Sequence, residues 1–182
     1  VIVVAIRRGA GVGMDLVGGK ERGAWAREGW SHPDDAGNLQ AAFDDFGGPV
    51  PELLAKVKDV HLWGLFRHDV AKTWSGGRLV LLGDAVHPTL PFLAQGACMA
   101  IEDAWVFADR LAAQENITAA LGQYQALRHA RCRRIVDAAN RNAWAYHLRM
   151  PGLRQSAHAA LRLADTLAPG SALRRLDWLY GY

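Results

Sequence analysis

The chain has 182 residues, of which 51% are hydrophobic and 21% charged, as is usual for a globular protein with one or two modest cores. No apolar run approaches the ~20 residues that span a membrane, and residues 1–8 lack the pattern of a signal peptide, so we expect no membrane partner. Cys98 and Cys132 form no CxxC pattern, which argues against a metal site or a disulfide framework and predicts a cytoplasmic protein.

The charge is distributed unevenly along the chain. Residues 1–110 carry 11 Lys and Arg against 14 Asp and Glu, whereas residues 111–182 carry 10 against 4. The arginines of the basic part are scattered through helical sequence without the aromatic residues of a base-stacking surface, so we predict no nucleic-acid binding. The basic part instead indicates a solvated helix face, or a face apposed to an acidic partner domain.

The N-terminal region has the pattern of a β-hairpin. Residues 1–8 favour a strand, GAGVG at 9–13 favours a turn, and MDLVGG continues as a second short strand. The glycines suggest a dinucleotide-binding loop, but that fingerprint requires glycine where Met14 stands, and a helix after it. Because the chain opens inside a predicted strand without an initiator Met, we expect it to be a piece of a longer protein.

The rest of the chain alternates strand and helix patterns, so the expected fold class is α/β. Residues 31–34 carry helix start signals, and Pro151 is expected to end the longest helix. The predicted elements, in chain order, are helices over about 35–46 and 52–57, strands over 61–68 and 78–82, and helices over about 96–113, 117–150 and 153–167.

The most informative stretch is LVLLGDAVHPTLPFLAQGACMAIEDA, residues 79–104. An acidic residue, Asp84, follows a strand that is predicted to be buried, and a proline-stiffened loop leads to Gly96 at the start of a small-residue helix. A carboxylate in this position accepts hydrogen bonds from hydroxyl groups. The N–H groups of the helix start favour an anion or an electron-rich carbonyl, and glycine allows close approach. The pattern therefore suits a flat ligand with a polyol arm.

This stretch also resembles the second flavin-binding motif of the FAD-dependent aromatic hydroxylases with the para-hydroxybenzoate-hydroxylase fold. The resemblance is to the branch with salicylate hydroxylase and 3-hydroxybenzoate 6-hydroxylase. It rests on GDAVH, Pro91, Gln95-Gly96 and Glu102-Asp103-Ala104, and it extends to GWSHP, AAFDDFG, LWGLF, the Tyr124–Arg128–Arg131 helix and LDWLYGY. It covers nearly the whole chain but only the carboxyl-terminal half of the family.

The resemblance implies a role for individual residues. Asp84 would bind the ribityl chain of FAD, Gly96 and its neighbours would offer N–H groups to the isoalloxazine ring, and Pro91 would lie at the reactive edge. The implied cofactor-binding residues are Gly83, Asp84, Pro91, Leu93, Ala94, Gln95, Gly96 and Ala97. Pro91 and His87 are the implied catalytic residues, and Trp63 and Phe66 the substrate-contacting residues.

The implied activity is hydroxylation of a phenolic or benzoate-type aromatic compound, with FAD as cofactor and NAD(P)H and O₂ as co-substrates. The adenine-binding GxGxxG and the Asp-Gly motif of the family are absent from the sequence. We therefore expect a missing N-terminal half of the FAD domain, or a partner chain, to complete the site; a homodimer is a further option. The alternatives are an inactive fragment or subunit without FAD, and a flavoprotein of the same fold with reductase or epoxidase activity.

The resemblance divides the chain into a partial substrate-domain sheet with helices (1–72), an FAD-binding strand–loop–helix (73–113) and a helical C-terminal region (114–182). Three residue-level alternatives stay open. His87 either acts as an acid–base group or packs and hydrogen-bonds the loop, which is the commoner role. Glu102 and Asp103 form a carboxylate pair or, since adjacent helix positions point in different directions, are solvent-exposed helix residues, which is the expected role. Trp63 and Phe66 line a pocket or pack in a core.

Overall fold

The computed structural model describes residues 4–8, 13–17, 29, 31–146, 148 and 150–181. The chain divides into two compact units between Phe66 and Arg67. None of the helices in the described residues combines the length and the apolar character that a membrane span requires.

The first unit contains two antiparallel strand pairs. Strand β1 (Val4–Arg8) pairs with β2 (Gly13–Val17), with Arg8 opposite Gly13, which confirms the predicted hairpin; the turn at 9–12 lies outside the described residues. A dinucleotide-binding loop also requires a helix after its glycines, and here Gly13 begins a strand, so the dinucleotide-binding alternative is wrong. Strand β3 (Ser31–Asp34) pairs with β4 (Val60–Trp63), so residues 31–34 are strand and not the helix start that the sequence predicted.

Two short helices lie between β3 and β4, and both are shorter or displaced relative to the prediction. Helix α1 spans Ala36–Ala42, with the Asp35 side chain accepting the Gly37 N–H at 2.7 Å as a helix cap. The chain leaves the helical conformation at Phe43, whose ring is buried and meets Phe46 edge-on. Helix α2 spans Val50–Leu54 and buries Leu54.

The strand before the loop is the clearest departure from the prediction. Strand β5 (Ser75–Gly76) pairs with β6 (Leu79–Val80), and β6 covers only two of the five residues expected. The strand is also not buried: Leu79, Leu81 and Leu82 are 77%, 48% and 36% exposed. Among the described residues only β5 pairs with it; Val80 packs against the core, whereas the three leucines stay exposed.

The second unit is mainly helical, with α3 in the predicted place. Its helices are α3 (Gly96–Ala113), α4 (Ile117–Tyr146), α5 (Pro151–Leu167), α6 (Ser171–Arg174) and α7 (Asp177–Tyr180). Pro151 occupies the first position of α5, where proline needs no hydrogen bond from its nitrogen, so it starts this helix and does not end α4. The core of the unit lies mainly between α3, α4 and the segment before them; it comprises Trp74, Val86, Met99, Val106, Tyr124, Cys132, Ile135, Val136 and Leu179.

Candidate functional site

The loop between β6 and α3 begins with a turn that requires glycine. Residues Gly83–Ala85 form a 3₁₀ turn, and Gly83 has a φ of +62°. A methyl group added at Gly83 would lie 3.2 Å from Ala100 Cβ on α3, which is closer than ordinary contact. The positive φ and this close approach together hold the loop against the first turns of α3.

The same loop brings the Asp84 carboxylate to the N-terminal end of α3. A methyl group added at Gly96 would lie 3.7 Å from Asp84 Oδ1 and 3.5 Å from Thr89 Cγ2, so the carboxylate borders the space that this glycine leaves open. The side chain of Gln95, the N-cap residue, makes no capping hydrogen bond with α3. An exposed carboxylate therefore stands beside a helix start whose first N–H groups have no partner within the helix.

The remaining cofactor-binding candidates line the stretch between these two glycines. Residues Pro91–Leu93 form a second 3₁₀ turn, and Ala94 follows in the left-handed conformation with a φ of +52°. Pro91, Ala94 and Ala97 are exposed, Leu93 is half-buried against the core, and Gln95 is buried with its amide donating to the Leu93 carbonyl. Together with Asp84, the exposed residues Pro91, Ala94 and Ala97 are called the outward side of the loop below.

His87 lies in the interior and not on that outward side. Its side chain is fully buried, its Nε2 lies 2.5 Å from Asp103 Oδ2, and its ring packs at 5.6 Å from the Trp74 ring. An acid–base residue must reach substrate, so this burial favours the packing and hydrogen-bonding alternative over a catalytic role.

Asp103 is the centre of a buried charged cluster. Its Oδ2 accepts the Gly83 N–H at 3.0 Å in addition to the bond with His87, and its Oδ1 accepts Arg128 Nε at 2.8 Å. Both Asp103 and Arg128 are fully buried. The expectation that Asp103 is a solvent-exposed helix residue is therefore wrong, because α4 packs on this face of α3 and supplies the arginine.

Glu102 extends the cluster toward the C-terminal helices. Its carboxylate lies 2.7 Å from Arg128 Nη1 and accepts two hydrogen bonds from Arg131, at 2.7 and 2.8 Å. Arg131 also donates to the carbonyls of Trp178 and Leu179 in α7. Glu102 is only 20% exposed, so for this residue too the expected solvent exposure is wrong.

These contacts shift the pKa values of the cluster in a consistent way. Burial alone would lower the pKa of His87, but the hydrogen bond to Asp103 and the interaction with Cys132 outweigh it and raise that pKa to about 10. Burial would raise the pKa of Asp103, but the hydrogen bonds from His87, Arg128 and Gly83 lower it. Hydrogen bonds from Arg131 and Arg128 likewise overcome burial and lower the pKa of Glu102. The cluster is thus held in its charged form.

His87, Asp103 and Cys132 also have the composition of a metal site, with potential ligand atoms within 4.8 Å of one another. The guanidinium of Arg128 occupies the corresponding position, however, with Nε on Asp103 and Nη2 3.7 Å from Cys132 Sγ. An arginine already supplies the positive charge that a cation would bring, so these residues carry no metal hypothesis.

The two substrate candidates belong to the first unit. Trp63 is the last residue of β4 and is 56% exposed, while Phe66 follows the strand and is 48% exposed. Neither side chain is in a core, so the packing alternative for them is wrong. Their part in a pocket stays a prediction.

Sequence reasoning missed two structural residues of the second unit. Trp74 is fully buried, its ring N–H donates to the Ala71 carbonyl, and its ring contacts Tyr124. No periodic pattern could have predicted this burial, because Trp74 lies in an irregular segment. The role of Arg128 was also missed, although a single arginine among apolar positions of a helix is a signal for a buried ion pair.

A known protein family matches the part of the chain that contains this loop. Residues 29–139 match the family model described as FAD binding domain. This match covers more than half of the chain, so the chain belongs to the FAD binding domain family.

The similar proteins are aromatic-ring monooxygenases. A 3-amino-4-hydroxybenzoate 2-monooxygenase of Streptomyces platensis is 40% identical over 162 residues, which are 87% of this chain and 39% of that protein. A 3-hydroxybenzoate 6-hydroxylase of Polaromonas naphthalenivorans is 32% identical over 145 residues, 79% of this chain and 35% of the relative. The chain thus spans less than two fifths of the length of these curated relatives.

A solved structure shows the same fold. A salicylate hydroxylase in a substrate complex matches with a TM-score of 0.69 and 28% identity, covering 87% of this chain and 38% of the other. The Klebsiella pneumoniae HpxO structure with FAD and uric acid matches with a TM-score of 0.58 and 29% identity, covering 75% of this chain and 37% of the other. The predicted α/β fold with a helical C-terminal region is confirmed by this likeness. The assignment of the N-terminal sheet to a substrate domain, and of the strand before the loop to an FAD domain, stays a prediction.

Proposed function

We propose that this chain supplies one wall of the FAD site in a monooxygenase that hydroxylates a phenolic or benzoate-type aromatic compound with NAD(P)H and O₂. The observation that carries the proposal is the Asp84 carboxylate beside Gly96 at the start of α3. The relatives named above hydroxylate benzoates of this kind, which supports the substrate class.

The residues of the loop fit the ribityl and ring portions of FAD. Asp84 is exposed and can accept hydrogen bonds from ribityl hydroxyls, while the open space at Gly96 lets a planar ring approach the backbone N–H groups. Pro91 and Ala94 lie on the same outward side, where they would border the ring and exclude water. When bound, FAD supplies the redox chemistry and the activation of O₂.

We further propose that a segment equivalent to the missing N-terminal half of the relatives' FAD domain completes the site. The support is an uncovered apolar surface next to the loop. Leu79, Leu81 and Leu82 are exposed in β6 and the two residues that follow it. Ile101 and Trp105 on α3 are 71% and 75% exposed. Several large apolar side chains exposed near one loop are typical of an interface. Alone, the chain would contact the flavin half of FAD and bind it weakly.

Asp84→Ala tests the flavin assignment in the protein complete with that segment. A hydrogen bond to a charged group contributes about 1.5–3 kcal/mol, so FAD affinity should fall roughly 10- to 100-fold in a flavin-fluorescence titration. Asp109→Ala, an exposed aspartate on the opposite end of α3, is the matched control and should bind FAD like the wild type. Equal affinities for the two variants would remove the role of Asp84.

The incomplete-site proposal has a separate test. The isolated chain should be colourless after purification and show little thermal stabilisation by FAD, whereas a bound ligand at ~100 times its Kd stabilises by about 2.7 kcal/mol. A yellow isolated chain with FAD at equal molarity would contradict the need for a completing segment.

Two finer statements belong to the proposal as well. Helix α5 exposes Leu161, Leu163 and Leu167, which supports a further interface such as a homodimer; light scattering on the purified protein decides this. Cys98 and Cys132 are both free, which supports a cytoplasmic location.

A further inference from the structure

We infer that His87, Asp103 and Arg128 form a buried charged clamp that fixes the Gly83 turn and thereby positions the Asp84 carboxylate. The inference rests on the proposed function in one respect, because that proposal assigns Asp84 to the flavin. The three clamp residues are positioning residues, since they are buried and none of them faces the outward side of the loop.

The clamp acts on the loop through one carboxylate oxygen. Asp103 Oδ2 accepts both the Gly83 N–H at 3.0 Å and the bond from His87 Nε2, so it grips the turn at its first residue and at its end. The Val86 and His87 N–H groups bond to the Gly83 carbonyl at 3.0 and 3.1 Å. Asp84 lies inside this closed turn, and its backbone is fixed from both sides.

Arg128 holds the carboxylate itself in place. It donates to Asp103 Oδ1, the oxygen that the loop does not use. Its Nη1 lies 2.7 Å from Glu102, which neighbours Asp103 on α3. The Asp103 carboxylate therefore cannot rotate without breaking a buried, charge-assisted bond. Since Arg128 lies on α4, this helix sets the position of the Gly83 turn through Asp103 on α3.

The clamp also has a defined pH dependence. The titratable and charged groups around His87 are Asp103 on α3 and Tyr124, Arg128 and Cys132 on α4. Because the pKa of His87 is raised, its contribution is complete below the ordinary value of 6.5 and is lost as the pH rises through about 10. The lowered pKa of Asp103 acts at the other end: its contribution is present above 3.8 and is lost as the pH falls through the lowered value.

Hydrogen exchange on the full chain without FAD tests the clamp at pH 7. In Asp103→Asn, exchange in residues 82–88 should accelerate at least tenfold relative to residues 117–127 of α4, and Arg128→Lys should show a smaller change in the same direction. Asp109→Asn, the same substitution at an exposed position of α3, should leave both segments unchanged. A uniform acceleration of both segments would reduce Asp103 to general support of the fold and overturn the clamp.

A titration of the wild-type chain provides a second test, in which a variant serves only to assign one resonance. The carbon-bound Hε1 resonance of His87, assigned by its loss in His87→Gln, should keep its imidazolium position to above pH 8. A midpoint at or below 6.5 would overturn the charged clamp. Neither measurement involves FAD, so the two proposals can fail separately. If exchange is differential but the completed protein does not bind FAD, the clamp stands and the flavin proposal fails. If exchange is uniform but the completed protein binds FAD through Asp84, the clamp fails and the flavin proposal stands.

Discussion

The two sides of the 83–95 loop differ in how many contacts the chain itself supplies to them. On the inner side Gly83, Val86 and His87 are buried, and Asp103 accepts hydrogen bonds from the first and the last of them. On the outer side Asp84 and Pro91 are exposed, next to the uncovered leucines of 79–82. The inner side is held by hydrogen bonds within the chain, whereas the outer side has the features of a binding surface. Stability and binding are therefore assigned to different residues of one loop.

The largest effect should come from breaking the inner side at Asp103. Asp103→Asn leaves the buried charge of His87 without its partner and that of Arg128 with Glu102 alone, and breaking a buried pair in this way costs about 3–5 kcal/mol. Urea denaturation followed by circular dichroism would measure it. Asp109→Asn removes only a surface ion pair, with an expected loss of about 0–1 kcal/mol. Similar losses of unfolding free energy for both variants would contradict the assignment of stability to the inner side of the loop.

A pair of leucines tests the contrast between covered and uncovered apolar surface. Leu179 is 3% exposed, so Leu179→Ala should lower the free energy of unfolding by about 2–5 kcal/mol. Leu79 is 77% exposed, and Leu79→Ala should change it by no more than about 0.5 kcal/mol in the isolated chain. With a completing segment bound, Leu79→Ala should weaken that association. A large loss of stability in isolated Leu79→Ala would show that the strand is already covered.

The smallest expected loss is at the turn that joins the two sides. Gly83→Ala places a side chain at a φ of +62° and 3.2 Å from Ala100, which should cost about 1–3 kcal/mol. Gly122→Ala is the matched control, because its added methyl group meets nothing within 4 Å on α4. A mid-helix Gly-to-Ala change stabilises by roughly 0.5–1 kcal/mol. Thermal melts of the two variants should therefore shift in opposite directions.

Local sequence signals identified most of the outer side. Asp84, Pro91 and Gly96 were predicted from a strand–loop–helix pattern, and the structure brings Asp84 and Gly96 together. Helix α3 begins and ends where its pattern predicted, because a long periodic segment determines its own conformation. The hairpin at the N-terminus and the two short helices were also visible, although their ends shifted by several residues.

The inner side was not visible because it depends on contacts that are distant in sequence. His87 and Asp103 are 16 residues apart, and Arg128 lies 25 residues beyond Asp103. On a helix viewed alone, an acidic pair such as Glu102-Asp103 is assigned to solvent by default. Only the packing of α4 on α3 decides that this face is interior.

The sequence by itself therefore determined the family and the place of the long helix α3, and it predicted which residues would face a flavin, since these inferences rest on short-range patterns. The tertiary structure decided which charges are buried and which apolar residues are exposed. Burial depends on neighbouring elements: α4 encloses Asp103, whereas the described residues leave Leu79, Leu81 and Leu82 exposed. Residues that are close together in the sequence can thus belong to a closed interior on one side of a loop and to an open surface on the other.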